Sequence, residues 1–381
     1  MNNSVAFLAA DVAGLVSLAA AAAIGFSIGR ALTAAVARLV EPQPAHDLFV
    51  HRVVWLVATA VAVGSWWGEV VTRGQLPADL DVGAGEVPHL VARWAAHLLL
   101  FALLAAASWV DLRHRVIPDA ITVPGVLVGM LWMAAIPAAL LPIARRVPRS
   151  FAPPLVEPDV LGLCGGLHDE WPAWLATPTL PGLLAAAAVF LAWWTVGTAP
   201  GDGTDVSPRG WRSVVGPRGG VALAGGGIIA AAWTAGGDHW RGLISSLGGL
   251  AVAAGMIWLT RAAASRALGR EAMGLGDVTL MAMVGAWLGW QPCVLASCLA
   301  VFIGLVHGVT QVVARRETEL PFGPSLCLGS AAVVVWWRPL WNAGGEAFER
   351  PHELLLVVGL VIVLTAASLW VWSRIRPFPA D

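Results

Sequence analysis

The chain has 381 residues, of which 58% are hydrophobic and only 12% are charged, and its formal net charge is −1. Soluble domains carry about 25% charged residues, so this composition excludes an ordinary soluble protein. The nearly neutral charge also gives no general attraction to nucleic acid. Several apolar runs reach the ~20 residues that cross a bilayer. We therefore predict an all-α, polytopic transmembrane helical bundle whose surface contacts the lipid bilayer.

Apolar runs predict about 9–11 transmembrane spans, given the length that a bilayer requires. The first run starts near residue 5 with no basic segment before it, which indicates a retained span and not a cleaved signal peptide. The eleven candidates cover roughly residues 5–27, 53–68, 89–110, 121–143, 182–199, 221–236, 243–260, 278–291, 293–313, 322–337 and 354–373.

Arginine distribution predicts the orientation, with the N-terminus outside and the C-terminus in the cytoplasm. All 23 basic residues are arginine, and this orientation places fifteen of them on the inner face, as the positive-inside rule favours. Four spans then separate Asp111 from Asp277, so both acids reach the cytoplasmic face of the inner membrane. The fifteen are Arg30, Arg38, Arg52, Arg113, Arg115, Arg209, Arg212, Arg218, Arg261, Arg266, Arg270, Arg315, Arg316, Arg374 and Arg376.

Composition changes along the chain predict five parts. Residues 144–181 are rich in Pro and residues 200–220 in Gly, Pro and Arg, and both segments are typical of loops. The parts are N-terminal spans (1–88), a first aspartate half (89–143), an insertion with loops and candidate extra spans (144–242), a second aspartate half (243–337), and a C-terminal span with a cytoplasmic tail (338–381).

Two aspartates stand at predicted membrane boundaries. Asp111 ends the third apolar run, and Asp277 closes the segment EAMGLGD just before the eighth. Acids at such positions are costly and indicate function. Two carboxyl groups held close share one proton, so one accepts a proton from water while the other protonates a scissile carbonyl oxygen. We predict that Asp111 and Asp277 are the catalytic pair of a membrane aspartyl peptidase that uses no metal and no cofactor.

Simpler structural roles exist for both acids. Asp277 fits a helix N-cap, and Asp111 could pair with Arg113 or Arg115. The neighbouring glycines, Gly274 and Gly276, allow a sharp turn and a close approach of the backbone. We expect Met273 and the turn formed by Pro321, Phe322, Gly323 and Pro324 to support the site, the turn as a rigid wall beside an extended substrate.

Other polar residues have structural interpretations. The four cysteines include no C-x-x-C pair, so a zinc knuckle is not predicted. Cys293, Cys298 and Cys327 lie in apolar segments and are predicted to be small core residues. His168, Asp169 and Glu170 are adjacent, and a solvated loop explains them better than metal binding.

Three blocks together resemble the type IV prepilin peptidase family, the membrane aspartyl peptidases with a G-x-G-D motif. The blocks are Asp111-Leu112-Arg113 with Ile117-Pro118-Asp119 and Leu127, residues 271–291, and Pro321-Phe322-Gly323-Pro324. The resemblance implies cleavage of the basic leader of type IV prepilins or type II secretion pseudopilins at the cytoplasmic face, with Asp111 and Asp277 as the catalytic pair.

This chain departs from the family pattern in three places. Thr279 stands where the family commonly has lysine, and residues 28–52 lack the two C-x-x-C pairs that the family links to N-methylation, so methyltransferase activity is not expected. The aspartates are 277 − 111 = 166 residues apart, which is longer than is usual there.

Three other functions are compatible with the motifs. They are a non-catalytic scaffold of a pilus or secretion machine, a proton-coupled transporter with intramembrane carboxylates, and a presenilin-like peptidase for other membrane proteins.

Overall fold

The computed structural model describes residues 2–39, 47–76, 87–147, 155–159, 172–197, 218–269, 271, 273–315 and 322–349, with five isolated positions beyond 351. Pro321, His168–Glu170 and almost all of the predicted span 354–373 therefore lie outside the described residues. Within these ranges the α-helices are α1 (Asn2–Leu39), α2 (Asp47–Trp66), α3 (Val87–His114), α4 (Asp119–Ala135), α5 (Ala173–Ala176), α6 (Leu180–Gly197), α7 (Arg218–Ala235), α8 (Gly237–Leu268), α9 (Leu275–Leu288), α10 (Trp290–Arg315), α11 (Gly323–Val335) and α12 (Trp337–Gly344).

The helices confirm the prediction of an all-α, polytopic membrane protein. Five described helical segments are long and apolar enough to cross a bilayer, and four shorter apolar helices accompany them. Large apolar side chains such as Leu56, Leu223 and Phe302 are exposed on the outer helices. Within hydrocarbon every backbone polar group needs an internal partner, which the helix provides.

One hairpin interrupts the predicted loop 144–181. Strand β1 (Ile143–Val147) pairs antiparallel with β2 (Leu155–Asp159), so that Ile143 is opposite Asp159. Backbone pairing needs no apolar periodicity, and the sequence pattern therefore gave no signal for this hairpin.

Helix α9 lies at the centre of the bundle, and all its residues from Asp277 to Leu288 are buried. Helix α8 packs against it most closely. Gly249 of α8 and Gly285 of α9 bring the two backbones so close that a Cβ on either glycine would overlap the backbone of the other helix. Small residues allow such an approach between membrane helices. Trp287 ties α9 to α4 because its Nε1 donates to the Gly125 carbonyl oxygen at 2.9 Å.

A single residue separates α9 from α10. Gly289 has a φ of 80°, a left-handed conformation that favours glycine. The two adjacent predicted spans are therefore joined by a very tight connection.

Candidate active site

Asp111 lies in the last turn of α3, and its side chain is buried with a relative exposure of 5%. The helix ends where Arg115 adopts a φ of 57°, with its N–H bonded to the Asp111 carbonyl oxygen at 2.8 Å. Pro118 then takes an extended conformation that precedes α4. This tight reversal returns the chain toward the end of α3 and places Ile117 beside the site.

The alternative that pairs Asp111 with an arginine is wrong in the structure. Asp111 forms no ion pair among the described residues. The Arg113 guanidinium instead lies over the Trp109 ring, with Cζ 5.6 Å from the ring centroid. The Asp111 charge is therefore not neutralised by a neighbouring cation.

Asp277 lies in the first turn of α9 and is also buried, with 8% relative exposure. The helix begins at Leu275 and its N-cap residue is Gly274, so the N-cap interpretation of Asp277 is wrong. A carboxylate in the first turn of a helix faces the positive end of the helix dipole. Thr279, in the position that departs from the family pattern, bonds the Gly276 carbonyl oxygen through Oγ1 at 3.0 Å.

The structure brings the two predicted acids together, since Asp277 interacts electrostatically with Asp111. The residues that hold them close are Ile117 and two glycines. A Cβ added at Gly276 would lie 3.0 Å from Ile117 Cβ, and one at Gly323 would lie 3.0 Å from Ile117 Cδ1. Ile117 therefore packs on the backbone of the first turns of α9 and α11, and larger residues at these glycines would push the acids apart.

Gly323 also contacts Asp111 directly. Its backbone N–H hydrogen-bonds the Asp111 carboxyl group, and a Cβ at this position would overlap Asp111 Oδ2. The Oδ2 atom itself is buried without a hydrogen-bond partner among the described residues. One carboxyl oxygen of Asp111 thus remains available for a proton, water or substrate.

The other residues predicted for the site lie less close to Asp111. Phe322 caps α11 and lies against Gly304, where an added Cβ would be 3.1 Å from the Phe322 ring, and Pro324 is buried in the first turn. Gly274 has an ordinary φ of −68°, and a Cβ there would contact only Gly276 N at 3.8 Å. An added Cβ is therefore in a tight contact at 276, overlaps Asp111 at 323 and is unhindered at 274.

Met273 is held by Arg261, one of the arginines predicted to lie on the inner face. Arg261, near the end of α8, donates from Nε to the Met273 carbonyl oxygen at 2.8 Å and forms an ion pair with Glu271. Nothing in the local pattern distinguishes Arg261 from its neighbours, because the contact depends on how α8 meets the segment before α9.

Two further residues at the site, Ser108 and Cys327, were also missed. Cys327 is buried as predicted, yet it is hydrogen-bonded to Ser108 and interacts electrostatically with both Asp111 and Asp277. Cys293 is likewise buried, whereas Cys298 is exposed, so the core prediction is wrong for Cys298.

Fold and site together define a multi-pass helical membrane protein with a buried pair of carboxyl groups. Residues 219–309 match the type IV leader peptidase family. This range includes Asp277 but not Asp111. These matches confirm the predicted resemblance to the type IV prepilin peptidase family.

Curated relatives carry the name prepilin leader peptidase/N-methyltransferase. The chain is 38% identical to the protein of Pseudomonas putida over 90 residues, which are 23% of this chain and 29% of that relative. It is 39% identical over 71 residues to that of Pseudomonas aeruginosa, covering 18% and 24% of the two chains. It is 32% identical over 84 residues to that of Aeromonas salmonicida, covering 21% and 29%. The match thus spans less than a third of these relatives. No solved structure matches the chain.

Proposed function

We propose that this protein is a membrane aspartic endopeptidase that removes the basic leader of type IV prepilin or pseudopilin-like precursors at the cytoplasmic face of the inner membrane. The proposal rests chiefly on the electrostatic interaction between Asp111 and Asp277, two buried acids without an ion-pair partner among the described residues. The G-x-G-D acid of this pair lies within the segment that matches the leader peptidase family.

Two adjacent buried carboxyl groups supply both halves of acid–base peptide hydrolysis. Both cannot ionise at low cost, so the pair holds one proton between them. The ionised member accepts a proton from water, which attacks the scissile carbonyl carbon, while the protonated member hydrogen-bonds the carbonyl oxygen. The free Oδ2 of Asp111 is suited to either role. On collapse of the tetrahedral intermediate, one carboxyl group returns the proton to the leaving amine.

The substrate reaches the pair as an extended strand, because a helix hides its peptide bonds within its own hydrogen bonds. The open space around Gly274 provides room for such a strand next to Asp277. The turn that enters α11 forms the opposite wall, where Gly323 fixes Asp111. A basic leader is attracted to the negative charge of the ionised member of this pair.

Orientation and localisation follow from the arginine distribution. Fifteen of the 23 arginines fall on the face where both acids end, and the positive-inside rule assigns that face to the cytoplasm. A basic leader that has not crossed the membrane would meet the acids on this side.

The test is cleavage of a co-expressed prepilin or pseudopilin from the same genome, with mass spectrometry of the product N-terminus. Wild type should yield a shortened product, whereas Asp111→Asn and Asp277→Asn should each leave the precursor intact although the protein inserts. Asp238→Asn is the matched control, because Asp238 is an exposed acid in the first turn of α8.

The same experiment separates the competing functions. An uncut precursor with stable, inserted wild type would favour the scaffold or the proton-coupled transporter. Normal processing by either site variant would refute the aspartyl mechanism. An added mass of one methylene group on the product would reveal N-methylation, contrary to the expectation from the missing C-x-x-C pairs.

A further inference from the structure

A second group of polar side chains is buried at the opposite end of α3. Its members are Glu69, Gln75, Arg93 and His97, each less than one-tenth exposed. Arg93 and His97 precede Asp111 by 18 and 14 residues on the same helix, which at 1.5 Å per residue separates them from it by about 20–27 Å. This second polar group is therefore distinct from the carboxylate pair.

Several segments far apart in the chain build the group. His97 Nδ1 lies 2.7 Å from Glu69 Oε2, and Glu69 belongs to the π-helical turn Trp67–Val71 that continues α2. Gln75 Nε2 donates to the Val334 carbonyl oxygen at 3.0 Å, near the end of α11. Arg93 Nη2 donates to the Ala138 carbonyl oxygen at 2.9 Å, in the short turn after α4. A π-helical turn within a helix frequently marks a functional site.

The group leaves several buried polar atoms without a partner among the described residues. They are Arg93 Nε, Arg93 Nη1, His97 Nε2 and Gln75 Oε1. Arg93 interacts electrostatically with Glu69 but forms no ion pair within the described ranges, since the Glu69 carboxylate pairs with His97. A guanidinium is always charged, so a cation lies buried next to unused N–H donors.

The unused atoms specify the chemistry of a ligand. Arg93 offers N–H donors from two nitrogens, and the His97 imidazole presents Nε2, a ring nitrogen that hydrogen-bonds as a donor or an acceptor. Gln75 Oε1 is an acceptor and requires a donor. A phosphate oxyanion accepts from these donors and also supplies the counter-charge that water cannot. The donor for Gln75 Oε1 is the P–OH of inorganic phosphate or a glycerol hydroxyl of the headgroup. We infer that this group binds the phosphate of inorganic phosphate or of an anionic phospholipid headgroup.

The test measures phosphate binding by the purified, delipidated full chain, with radiolabelled inorganic phosphate in equilibrium dialysis. A parallel arm reconstitutes the protein in phosphatidylglycerol or phosphatidylcholine vesicles and counts retained lipids by native mass spectrometry. One inorganic phosphate bound per chain would identify the free anion. One retained phosphatidylglycerol without inorganic phosphate binding would identify the headgroup.

Arg93→Gln should weaken the binding about tenfold or more, because hydrogen bonds to a charged group are lost. Arg241→Gln is the matched control and should bind like wild type, since Arg241 is an exposed arginine at the start of α8. If Arg93→Gln does not fold, Arg93→Lys is the second variant. It keeps the positive charge but lacks the planar guanidinium, so it should still bind phosphate several-fold more weakly than wild type.

The inference is overturned if wild type binds neither probe at one per chain, or if the folded Arg93 variants bind as tightly as wild type. Because no cleavage is measured, this result is independent of the proposed peptidase activity.

Discussion

The two ends of α3 carry two different kinds of buried polar site. At its C-terminal end Asp111 interacts electrostatically with Asp277, and these two acids have no ion-pair partner among the described residues. Toward its N-terminal end Glu69, His97 and Arg93 form a mixed-charge group whose members partly satisfy one another. Two acids held close cannot both ionise at low cost, whereas removing one member of a buried pair of opposite charges leaves the other uncompensated and destabilises the fold. The comparison therefore predicts that substitutions at the first site change activity and those at the second change stability.

The largest expected effect concerns the carboxylate pair as a unit. Asp111→Asn and Asp277→Asn should each lower the cleavage rate by on the order of 10³-fold, within the range of general acid–base catalysis. The double variant should lose little more than either single variant, because residues that act together are not additive. Single-turnover cleavage of a prepilin peptide in micelles measures this, and a multiplicative loss in the double variant would show that the acids act separately.

Next in size is the stability of the mixed-charge group. Glu69→Leu leaves His97 and Arg93 buried without an acid, and should reduce the free energy of unfolding by about 3–5 kcal/mol. Titration with denaturing detergent measures the change. Asp238→Leu, at an exposed acid on α8, should change it by less than about 0.5 kcal/mol. If Glu69→Leu and Asp238→Leu lowered the free energy of unfolding equally, the mixed-charge group would not contribute specially to stability.

A smaller effect is expected where backbone packing positions the acid. Gly323→Ala adds a methyl group that would overlap Asp111 Oδ2, and displacement of a catalytic group by about 1 Å costs on the order of 10²-fold in rate. Gly226→Ala is the control, because a Cβ at that exposed helical glycine meets nothing within 4 Å. The control should keep full activity and gain up to about 1 kcal/mol in stability. Wild-type cleavage by Gly323→Ala would argue against a positioning role for Gly323.

The smallest effect should follow from loosening the segment before α9. Arg261→Gln removes the bond to the Met273 carbonyl oxygen, worth about 1 kcal/mol, and should slow cleavage by roughly threefold to tenfold. Arg266→Gln is the control on the same helix. It removes a hydrogen bond to the Ala262 carbonyl oxygen within α8 and should leave the cleavage rate unchanged. Steady-state rates for the two variants decide whether Arg261 supports the site.

Much of the carboxylate site was predictable because its signals are local. An acid after G-x-G and before an apolar run, and a second acid at the end of another run, are patterns within a dozen residues each. The helical class followed from apolar run lengths, since bilayer thickness fixes them. The hairpin 143–159 was missed because main-chain pairing needs no apolar pattern, and the glycine at 274 proved to be free of packing constraints.

The sequence by itself determined the membrane class, the two acids and the resemblance of the second block to the leader peptidases. Only the tertiary structure decided that Ile117 packs on Gly276 and Gly323, that Cys327 interacts with Ser108 and with both acids, and that Gln75 reaches Val334. Gln75 and Val334 are 259 residues apart in the chain. Such contacts arise from the way helices pack, and no local periodicity in the sequence encodes which faces will meet.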